Sequence, residues 1–366
     1  MKLAHVADLH LDTPFGRLSP PAQRARRQAL RDALRTIADV TEAEGADALI
    51  CAGDLYEQQY WTPDTAACLK EAFARLHPLP VLLAPGNHDW LGPHSLYVQT
   101  EWTDNVHLFT EDRLRPFELA QGFTIWGAAH RAPANTDGFL DQGFRVDRGG
   151  VNVALFHGSE RGAHVRADGG KVPHAPFDAA QVPASGLDHA FVGHFHSPKD
   201  APHHTYPGNP EPLNFGERGD RGLVLAVVDE CGAVTRSRFP ISRTDVHDLS
   251  VNVTGSVSST EVRHRISQQL AGLSGLARVR LDGVLHPDIE LRLDDLNTIR
   301  CGLDDVVYEV GHLVSGHDLE ALAREPTVRG RFVRDLLAAE LEEDLTRRVL
   351  ETGLRALSGR SDLEVL

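Results

Sequence analysis

Five short segments of the sequence carry histidine, carboxylate and amide side chains of the kinds that bind metal ions. In chain order they are Asp8-Leu9-His10, Gly53-Asp54, Gly86-Asn87-His88-Asp89, Phe156-His157-Gly158 and Gly193-His194-Phe195-His196. In the first and last segments two candidate ligands stand two residues apart, so on an extended backbone both side chains point the same way. That spacing allows a single strand end to supply two ligands.

The combined ligand set favours a site for two metal ions. It comprises Asp8, His10, Asp54, Asn87, His157, His194 and His196. Imidazole nitrogen with carboxylate and amide oxygen, without thiolate, suits manganese best, with iron or zinc also open. This number of ligands exceeds the needs of one ion and suits two ions about 3.5–4 Å apart, which stabilise the attacking and leaving oxygens of a phosphoryl displacement. Asp54 is the candidate bridge between the ions, because a carboxylate has two oxygens to share.

Each segment taken alone has a simpler explanation. The chain contains 20 histidines, and a single histidine after an apolar strand is more often structural than a ligand. Asp54 after Gly53 also fits an ordinary turn, and so do Asn87 and His88. These explanations would have to hold independently for every segment, each at a predicted strand end, so we favour the metal site.

The first three segments follow predicted strands that alternate with helices. Apolar, β-branched runs predict strands at residues 2–7, 46–52 and 81–84, and helical spacing predicts helices at residues 20–44 and 64–77. This alternation is typical of βαβ units with a parallel sheet, in which ligands bind at the carboxyl ends of the strands.

Beyond residue 105, strands predominate. They are predicted at residues 106–109, 123–126, 151–156, 190–192 and 223–228. We therefore expect an α/β fold in which one sheet faces a second, more β-rich sheet, a two-sheet sandwich flanked by helices. The loop 157–188 is long and rich in Gly, Pro and His, and loops of that length are usually functional.

Chain length predicts a second, smaller domain. A single hydrophobic core rarely grows beyond about 250–300 residues, and this chain has 366. We expect domains at residues 1–243 and 244–366. The second is a small α/β domain with strands predicted at 246–253, 277–285 and 306–313 and a helix at 260–273. An amphipathic helix is expected over residues 332–357, packed either on its own domain or on a partner.

Composition excludes several classes of protein. With 41% hydrophobic and 24% charged residues, the chain is neither disordered nor of low complexity. No apolar run approaches the roughly 20 residues of a membrane helix, so we expect no membrane association. The polar N-terminus does not resemble a signal peptide, and the four cysteines are too far apart for a zinc ribbon, which favours the cytoplasm. A net charge of −15 counts against a broad basic face for nucleic acid.

The ordered motifs D-x-H, G-D, G-N-H-D, H and G-H-x-H resemble those of the calcineurin-like metallophosphoesterase superfamily over about residues 1–230. Within it, His5-Val6-Ala7-Asp8-Leu9-His10-Leu11-Asp12-Thr13-Pro14-Phe15 is similar to the opening of the SbcD/YhaO-type DNA repair exonucleases. The segment Tyr206-Pro207-Gly208-Asn209-Pro210-Glu211, followed by Phe215-Gly216-Glu217, is similar to the end of their catalytic domain. Asp12 departs from the glycine usual in the SbcD branch and fits the YhaO branch better.

The resemblance implies roles for individual residues. One ion would take Asp8, His10, Asp54 and His196, and the other Asp54, Asn87, His157 and His194. His88 would be the catalytic histidine, since a near-neutral pKa lets an imidazole act as an acid or as a cation beside the phosphorane. Asp89 would either orient that imidazole or cap the following helix, and both readings stay open.

The resemblance also implies a substrate and partners. The leading hypothesis is a phosphodiesterase that depends on two metals and acts on DNA as a repair exonuclease. The C-terminal domain would cap its active site, an SbcC-like coiled-coil ATPase would be its partner, and a homodimer stays open. The alternative is a phosphodiesterase for cyclic nucleotides or other small phosphodiesters, which the acidic charge favours. A scaffold without catalysis is disfavoured, because every expected ligand is present.

Overall fold

The computed structural model describes residues 1–134, 136–141, 143–162 and 173–359. The chain divides into two compact units, of which the first comprises Met1–Gly16 and Gln23–Thr244. The second comprises Arg17–Ala22 and Asp245–Leu366. None of the described helices is both long and apolar enough to cross a lipid bilayer.

The first unit contains twelve strands and four helices in its described part. In chain order they are β1 (Lys2–Val6), α1 (Pro20–Ala43), β2 (Ala48–Cys51), α2 (Pro63–Arg75), β3 (Val81–Leu83), α3 (Leu96–Gln99), β4 (Val106–Leu108), β5 (Arg115–Ala120), β6 (Phe123–Gly127), β7 (Val151–His157), α4 (Gln181–Ala184), β8 (His189–Gly193), β9 (Lys199–Asp200), β10 (His204–Tyr206), β11 (Gly222–Val228) and β12 (Val234–Pro240).

These strands form two six-stranded sheets. The first has the order β12-β11-β1-β2-β3-β4 and the second the order β5-β6-β7-β8-β10-β9. Successive side chains of a strand point to opposite faces, and in β2 Ile50 packs into the core shared with Phe191 of the second sheet. Leu49 packs instead with Leu34 of α1 and Phe73 of α2. The predicted α/β sandwich of two sheets with flanking helices is therefore confirmed.

Parallel pairing brings the candidate ligands to one edge of each sheet. β1, β2 and β3 are parallel neighbours, so the loops that carry Asp8, Asp54 and Asn87 leave the first sheet on the same side. β7 and β8 are also parallel, with His157 opposite Gly193. Their carboxyl ends bring His157 and His194 to one edge of the second sheet.

The second unit is built on a parallel three-stranded sheet. Its elements are β13 (Val246–Asn252), α5 (Ser259–Leu270), β14 (Leu276–Leu285), α6 (Leu293–Leu296), β15 (Asp305–Ser315), α7 (Leu319–Arg324), α8 (Val328–Leu337) and α9 (Glu343–Leu357). One core joins Val262 and Ile266 of α5 to Val279 and Leu281 of β14. The short segment Arg17–Ala22 also belongs to this unit, where the backbone N–H of Ser19 donates to Asp305 at 2.7 Å.

The terminal helical region differs from its prediction. One helix was expected over residues 332–357, but α8 ends at Leu337 and α9 begins at Glu343. Between them Glu340 has a φ of +48°, a left-handed conformation that cannot continue a right-handed helix. The two helices pack against each other through Val333, Leu350 and Leu354, so this region forms a helical hairpin and the predicted single helix is wrong.

The loop predicted over residues 157–188 is only partly described. Its described ends pair through the bridge between Glu160 and Phe177, and α4 lies near its C-terminal end. The intervening residues 163–172 lie outside the described part of the chain.

His189 gives the first unit a testable dependence on pH. Burial, with added repulsion from Arg236, lowers the pKa of His189 from 6.5 to about 3. Below about pH 6.5 the unfolded chain therefore binds a proton that the folded protein excludes, so stability falls as the pH falls. Between about pH 5.5 and 4.5, wild-type protein should lose roughly 1.4 kcal/mol more stability per pH unit than His189→Gln.

Urea unfolding of the metal-free protein at each pH measures this difference. His94→Gln, which removes an exposed imidazole of the same unit, is the matched control and should keep the wild-type slope. Equal slopes for wild type and His189→Gln would contradict the prediction.

Candidate metal centre

Asp54 lies at the centre of the candidate site. Its Oδ2 is 3.1 Å from Nε2 of His157 and 3.6 Å from Nε2 of His10. Its Oδ1 accepts a hydrogen bond of 2.8 Å from the backbone N–H of His88. The carboxylate therefore faces histidines from both sheets, which is the placement that a bridging ligand requires.

Among the described residues, potential ligand atoms form three overlapping clusters, one of which contains Asp54, and within each cluster these atoms all lie within 4.8 Å of one another. The first contains Asp8, His10 and His196, and the second contains Asp8, Asp54 and His157. The third contains His10, His88 and Glu57, a residue that the sequence analysis did not single out.

The two remaining predicted ligands lie beside these clusters. Oδ1 of Asn87 is 3.0 Å from Nε2 of His157. The ring of His194 lies 5.1 Å from that of His157 between centroids, but it belongs to none of the three clusters. The backbone N–H of His194 instead donates to both oxygens of Asp8 at 3.1 Å.

Three histidines are held through Nδ1, which leaves Nε2 as the atom that would bind a cation. Nδ1 of His10 pairs with Glu57 at 2.7 Å, and Nδ1 of His196 pairs with Glu217 at 2.7 Å. Nδ1 of His157 contacts the carbonyl oxygen of Ala52 at 2.8 Å. Such contacts fix the tautomer and ring orientation of metal-binding histidines.

The site fits a pair of divalent cations. Nε2 of His10 is buried and has no hydrogen-bond partner among the described residues, although buried polar atoms are almost always bonded. It lies near the buried carboxylates of Asp8 and Asp54, and a cation there would give this nitrogen a partner and offset the carboxylate charges. When bound, two such ions would polarise a phosphate ester and stabilise the charge that develops on its oxygens.

Protonated imidazoles balance the buried carboxylates in the metal-free protein. Burial raises the pKa of Asp8, and the nearby imidazoles offset this only in part. Burial acts on Asp54 in the same direction, but His157 and His10 hold the pKa of Asp54 well below its usual value. Burial lowers the pKa of His157, yet the charge of Asp54 outweighs it and raises that pKa to about 9.

Glu57 is the main site residue that the sequence analysis missed. Its Oε1 contacts Nδ1 of His10 at 2.7 Å and its Oε2 contacts Nδ1 of His88 at 3.0 Å. Burial raises the pKa of Glu57, but its bonds to the two histidines lower it to about 2. Its position three residues after Asp54, in the loop after a predicted strand, was the signal available in the sequence.

Glu217 plays the corresponding part on the opposite side. Glu217 belongs to the segment that resembles the family, but the sequence predicts no role for it. Besides His196, its carboxylate accepts from the backbone N–H of Leu213 at 2.7 Å and from the side chain of Asn209 at 2.5 Å. Burial raises its pKa, and the bond to His196 is the largest of the opposing effects that lower it to about 2.

Asp89 does not contact the imidazole of His88, which corrects one expectation. Its fully buried carboxylate accepts from the backbone N–H groups of Asp54 at 3.1 Å, Leu55 at 2.7 Å and Gly86 at 2.6 Å. It also accepts from the hydroxyl of Tyr97 at 2.5 Å. Asp89 thus ties two ligand-bearing loops together, and the contact to His88 belongs to Glu57.

The ligand-bearing loops hold an unusual backbone. Asp8, His10, Asp54 and His194 all have left-handed φ values, of 56°, 49°, 55° and 108°. Residues other than glycine adopt such values at a cost, and they persist where the surroundings enforce them. At Gly193 a Cβ atom would overlap the carbonyl oxygen of Ala52, so the two sheets approach here as closely as glycine allows.

His88 is the imidazole on the open side of the site. Its side chain is 47% exposed. Partial burial lowers its pKa, but the bond to Glu57 and the charges of Asp54 and Glu57 raise it to about 9. A protonated imidazole held beside the candidate cation positions can donate a hydrogen bond or a proton to a phosphate oxygen.

Metal binding should release protons. His157 carries a proton below about pH 9 in the metal-free protein, and a cation can take its nitrogen only after that proton leaves. At about pH 8, Mn²⁺ binding should therefore release roughly one proton or more per protein, falling toward zero above about pH 10.

Titration calorimetry in HEPES and in Tris at equal pH measures the released protons, because the two buffers take them up with different enthalpies. A binding enthalpy that is the same in both buffers at about pH 8 would contradict the protonated state of His157.

Comparisons with known proteins agree with this geometry. Residues 1–198 match the sequence pattern of the calcineurin-like phosphoesterase family. The uncharacterized metallophosphoesterase YhaO of Bacillus subtilis is 29% identical over 237 residues, which cover 61% of this chain and only 56% of YhaO. The DNA double-strand break repair protein Mre11 of Methanopyrus kandleri is 25% identical over 398 aligned positions, covering 98% of this chain and 82% of that protein.

Among solved structures, TT1561 of Thermus thermophilus matches with a TM-score of 0.37 and 12% identity, over 65% of this chain and 98% of TT1561. The ordered ligand motifs, the two-sheet fold and the match over more than half of the sequence lead to one conclusion. The chain belongs to the calcineurin-like phosphoesterase family, hydrolases that bind divalent metals.

Proposed function

We propose that this chain is a phosphodiesterase that uses two metal ions to hydrolyse DNA, as a repair exonuclease. The observation that carries the proposal is the carboxylate of Asp54, which faces His157 on one side and His10 on the other. His88 lies beside it, bonded through its backbone to the same carboxylate.

Manganese is the proposed native metal, with iron or zinc as the alternatives. The candidate clusters offer carboxylate oxygen and imidazole nitrogen, and no cysteine takes part in any of them. Hard oxygen ligands mixed with imidazole suit manganese and iron, whereas thiolates would favour zinc.

Each side chain of the site then has a defined task. Asp8 and His10 from the first sheet, with His196 from the second, would hold one ion, and Asn87, His157 and His194 the other, with Asp54 shared. Glu57 keeps the imidazolium of His88 on the open side, where it would donate its proton to the leaving oxygen. Asp89 keeps the loops of Asp54 and Gly86 at a fixed spacing.

The relatives and the second unit support DNA as the substrate. The similarity to Mre11, which is named as a DNA double-strand break repair protein, extends over 98% of this chain and so includes the second unit. We propose that this unit caps the active site and helps to select DNA. The net charge of −15 favours the alternative, a cyclic nucleotide or other small phosphodiester.

An SbcC-like coiled-coil ATPase is the proposed partner, in the cytoplasm. The leucines Leu337, Leu341 and Leu345, around the turn between α8 and α9, are exposed. Exposed leucines clustered along the chain are typical of a surface that packs on another helix. The four cysteines are free, which suits a reducing compartment.

Replacing His88 should stop turnover without emptying the site. His88→Ala should lower the rate of hydrolysis by roughly 100-fold or more, since that is a typical contribution of an acid or base, while Mn²⁺ content stays at the wild-type level. Cleavage of labelled duplex DNA, single-stranded DNA and cyclic AMP, with metal analysis of the same samples, measures both quantities.

His94→Ala removes an exposed histidine of the same loop region and is the matched control. Unchanged cleavage by His88→Ala would remove His88 from the mechanism. Wild-type turnover of cyclic AMP with no cleavage of either DNA would replace DNA by a small phosphodiester as the substrate.

Replacing Asp54 should prevent tight binding of two metal ions and abolish turnover. In Asp54→Asn a neutral amide takes the place of the carboxylate between His10 and His157, and one amide oxygen bridges two cations poorly. We expect fewer than two tightly bound ions per chain and loss of cleavage. Two ions held as tightly as in the wild type would contradict the bridging role.

A further inference from the structure

Tyr60 is an exposed aromatic side chain in the loop that also carries Glu57. Of the Phe, Tyr and Trp residues that the structure describes, it alone is more than half exposed, at 52%. The remaining described aromatic residues are buried or half-buried. Exposure of an aromatic ring to water costs free energy. The position of Tyr60 in the chain relative to the catalytic side chains shows which ligand could cover it.

The backbone holds Tyr60 one turn away from Glu57. The carbonyl oxygen of Glu57 accepts from the N–H groups of Tyr60 at 2.9 Å and Trp61 at 3.0 Å. Residues at the two ends of such a turn have Cα atoms within about 7 Å of each other. The carboxylate of that same Glu57 contacts both His10 and His88.

The turn is fixed on both sides. The N–H of Glu57 donates to the carbonyl oxygen of Leu11 at 2.9 Å, and that of Gln58 donates to the carbonyl oxygen of His88 at 2.9 Å. After the turn, Trp61 packs on the core beneath the helices, and Thr62 caps α2. Tyr60 is thus an exposed ring on a rigid backbone that is bonded directly to the loop of His88.

We propose that Tyr60 stacks against a nucleobase of the substrate and positions the nucleotide whose phosphate enters the metal centre. This rests on the proposed phosphodiesterase function and assigns a residue that recognises the base of its nucleotide substrate. A nucleobase is flat and has a π-face that a phenol ring can cover, and such stacking tolerates any base sequence. A phosphoserine side chain or a sugar phosphodiester presents no such face.

Stacking also fits the charge of the chain. A protein with a net charge of −15 has little general attraction for a polyanion. Contacts to bases do not depend on neutralising phosphates, so an exposed aromatic ring can add affinity that the net charge of the chain does not supply.

The test compares Tyr60→Ala with the wild type on two matched oligonucleotides. Both are single strands of the same length, and one carries abasic residues in place of the terminal nucleotides. For the wild type, KM for the abasic oligonucleotide should be on the order of 10-fold higher than KM for the intact one, with kcat nearly unchanged. Tyr60→Ala should have the raised KM on both oligonucleotides, and Tyr60→Phe should behave as the wild type.

Val227→Ala is the matched control, because Val227 is exposed and pairs with Lys2 at the end of β1 remote from Asp8. The proposal is overturned if the wild type does not distinguish the two oligonucleotides, or if Tyr60→Ala distinguishes them equally well.

Cyclic AMP provides a third arm of the experiment. Cleavage of cyclic AMP without cleavage of either oligonucleotide would reject DNA as the substrate. Stacking would then be judged by KM for cyclic AMP, which Tyr60→Ala should raise on the order of 10-fold if the proposal holds. An unchanged value would overturn it. Failure of stacking and failure of the DNA assignment therefore give different results.

Discussion

The burial of two carboxylates in one place is the constraint on which the catalytic unit depends. Asp8 and Asp54 are both almost completely inaccessible to solvent, and uncompensated charges in a protein interior are strongly unfavourable. Positive charge must therefore be present, supplied by imidazolium groups in the metal-free protein and by cations in the loaded enzyme. The histidines that converge on these carboxylates from the two sheets meet this requirement.

Holding that arrangement requires strained loops and groups that fix them. The left-handed residues of the site include Asp8, His10 and Asp54, and each such residue costs of order 1–3 kcal/mol. Asp89 offsets part of this cost, because its one carboxylate satisfies the backbone of two ligand-bearing loops. A fully buried side chain thus helps to hold the loops that carry the ligands.

The sequence predicts which candidate ligands lie at strand ends, but it does not predict the residues that orient them. Asp8, Asp54 and His157 lie at the ends of predicted strands. Parallel pairing brings Asp8 and Asp54 to one edge of the first sheet, and packing of the two sheets brings His157 to them. Glu57 was missed because its contacts to His10 and His88 join loops distant in the chain. The break between α8 and α9 was missed because it depends on the left-handed backbone of Glu340, a conformation that glutamate rarely adopts.

The segment Arg17–Ala22 makes the second unit discontinuous in sequence, since the chain enters that unit before α1 and returns to it at Asp245. A fragment ending near residue 243 would therefore carry a stretch of the other unit without its partners: Ser19 would lose Asp305, and Arg17 would lose Glu309. Leu18 is buried in the intact protein. The fragment would contain Leu18 but not the rest of the unit to which it belongs. Truncation at a single position therefore cannot separate the two units. An independent catalytic fragment would also require redesign of the segment Arg17–Ala22.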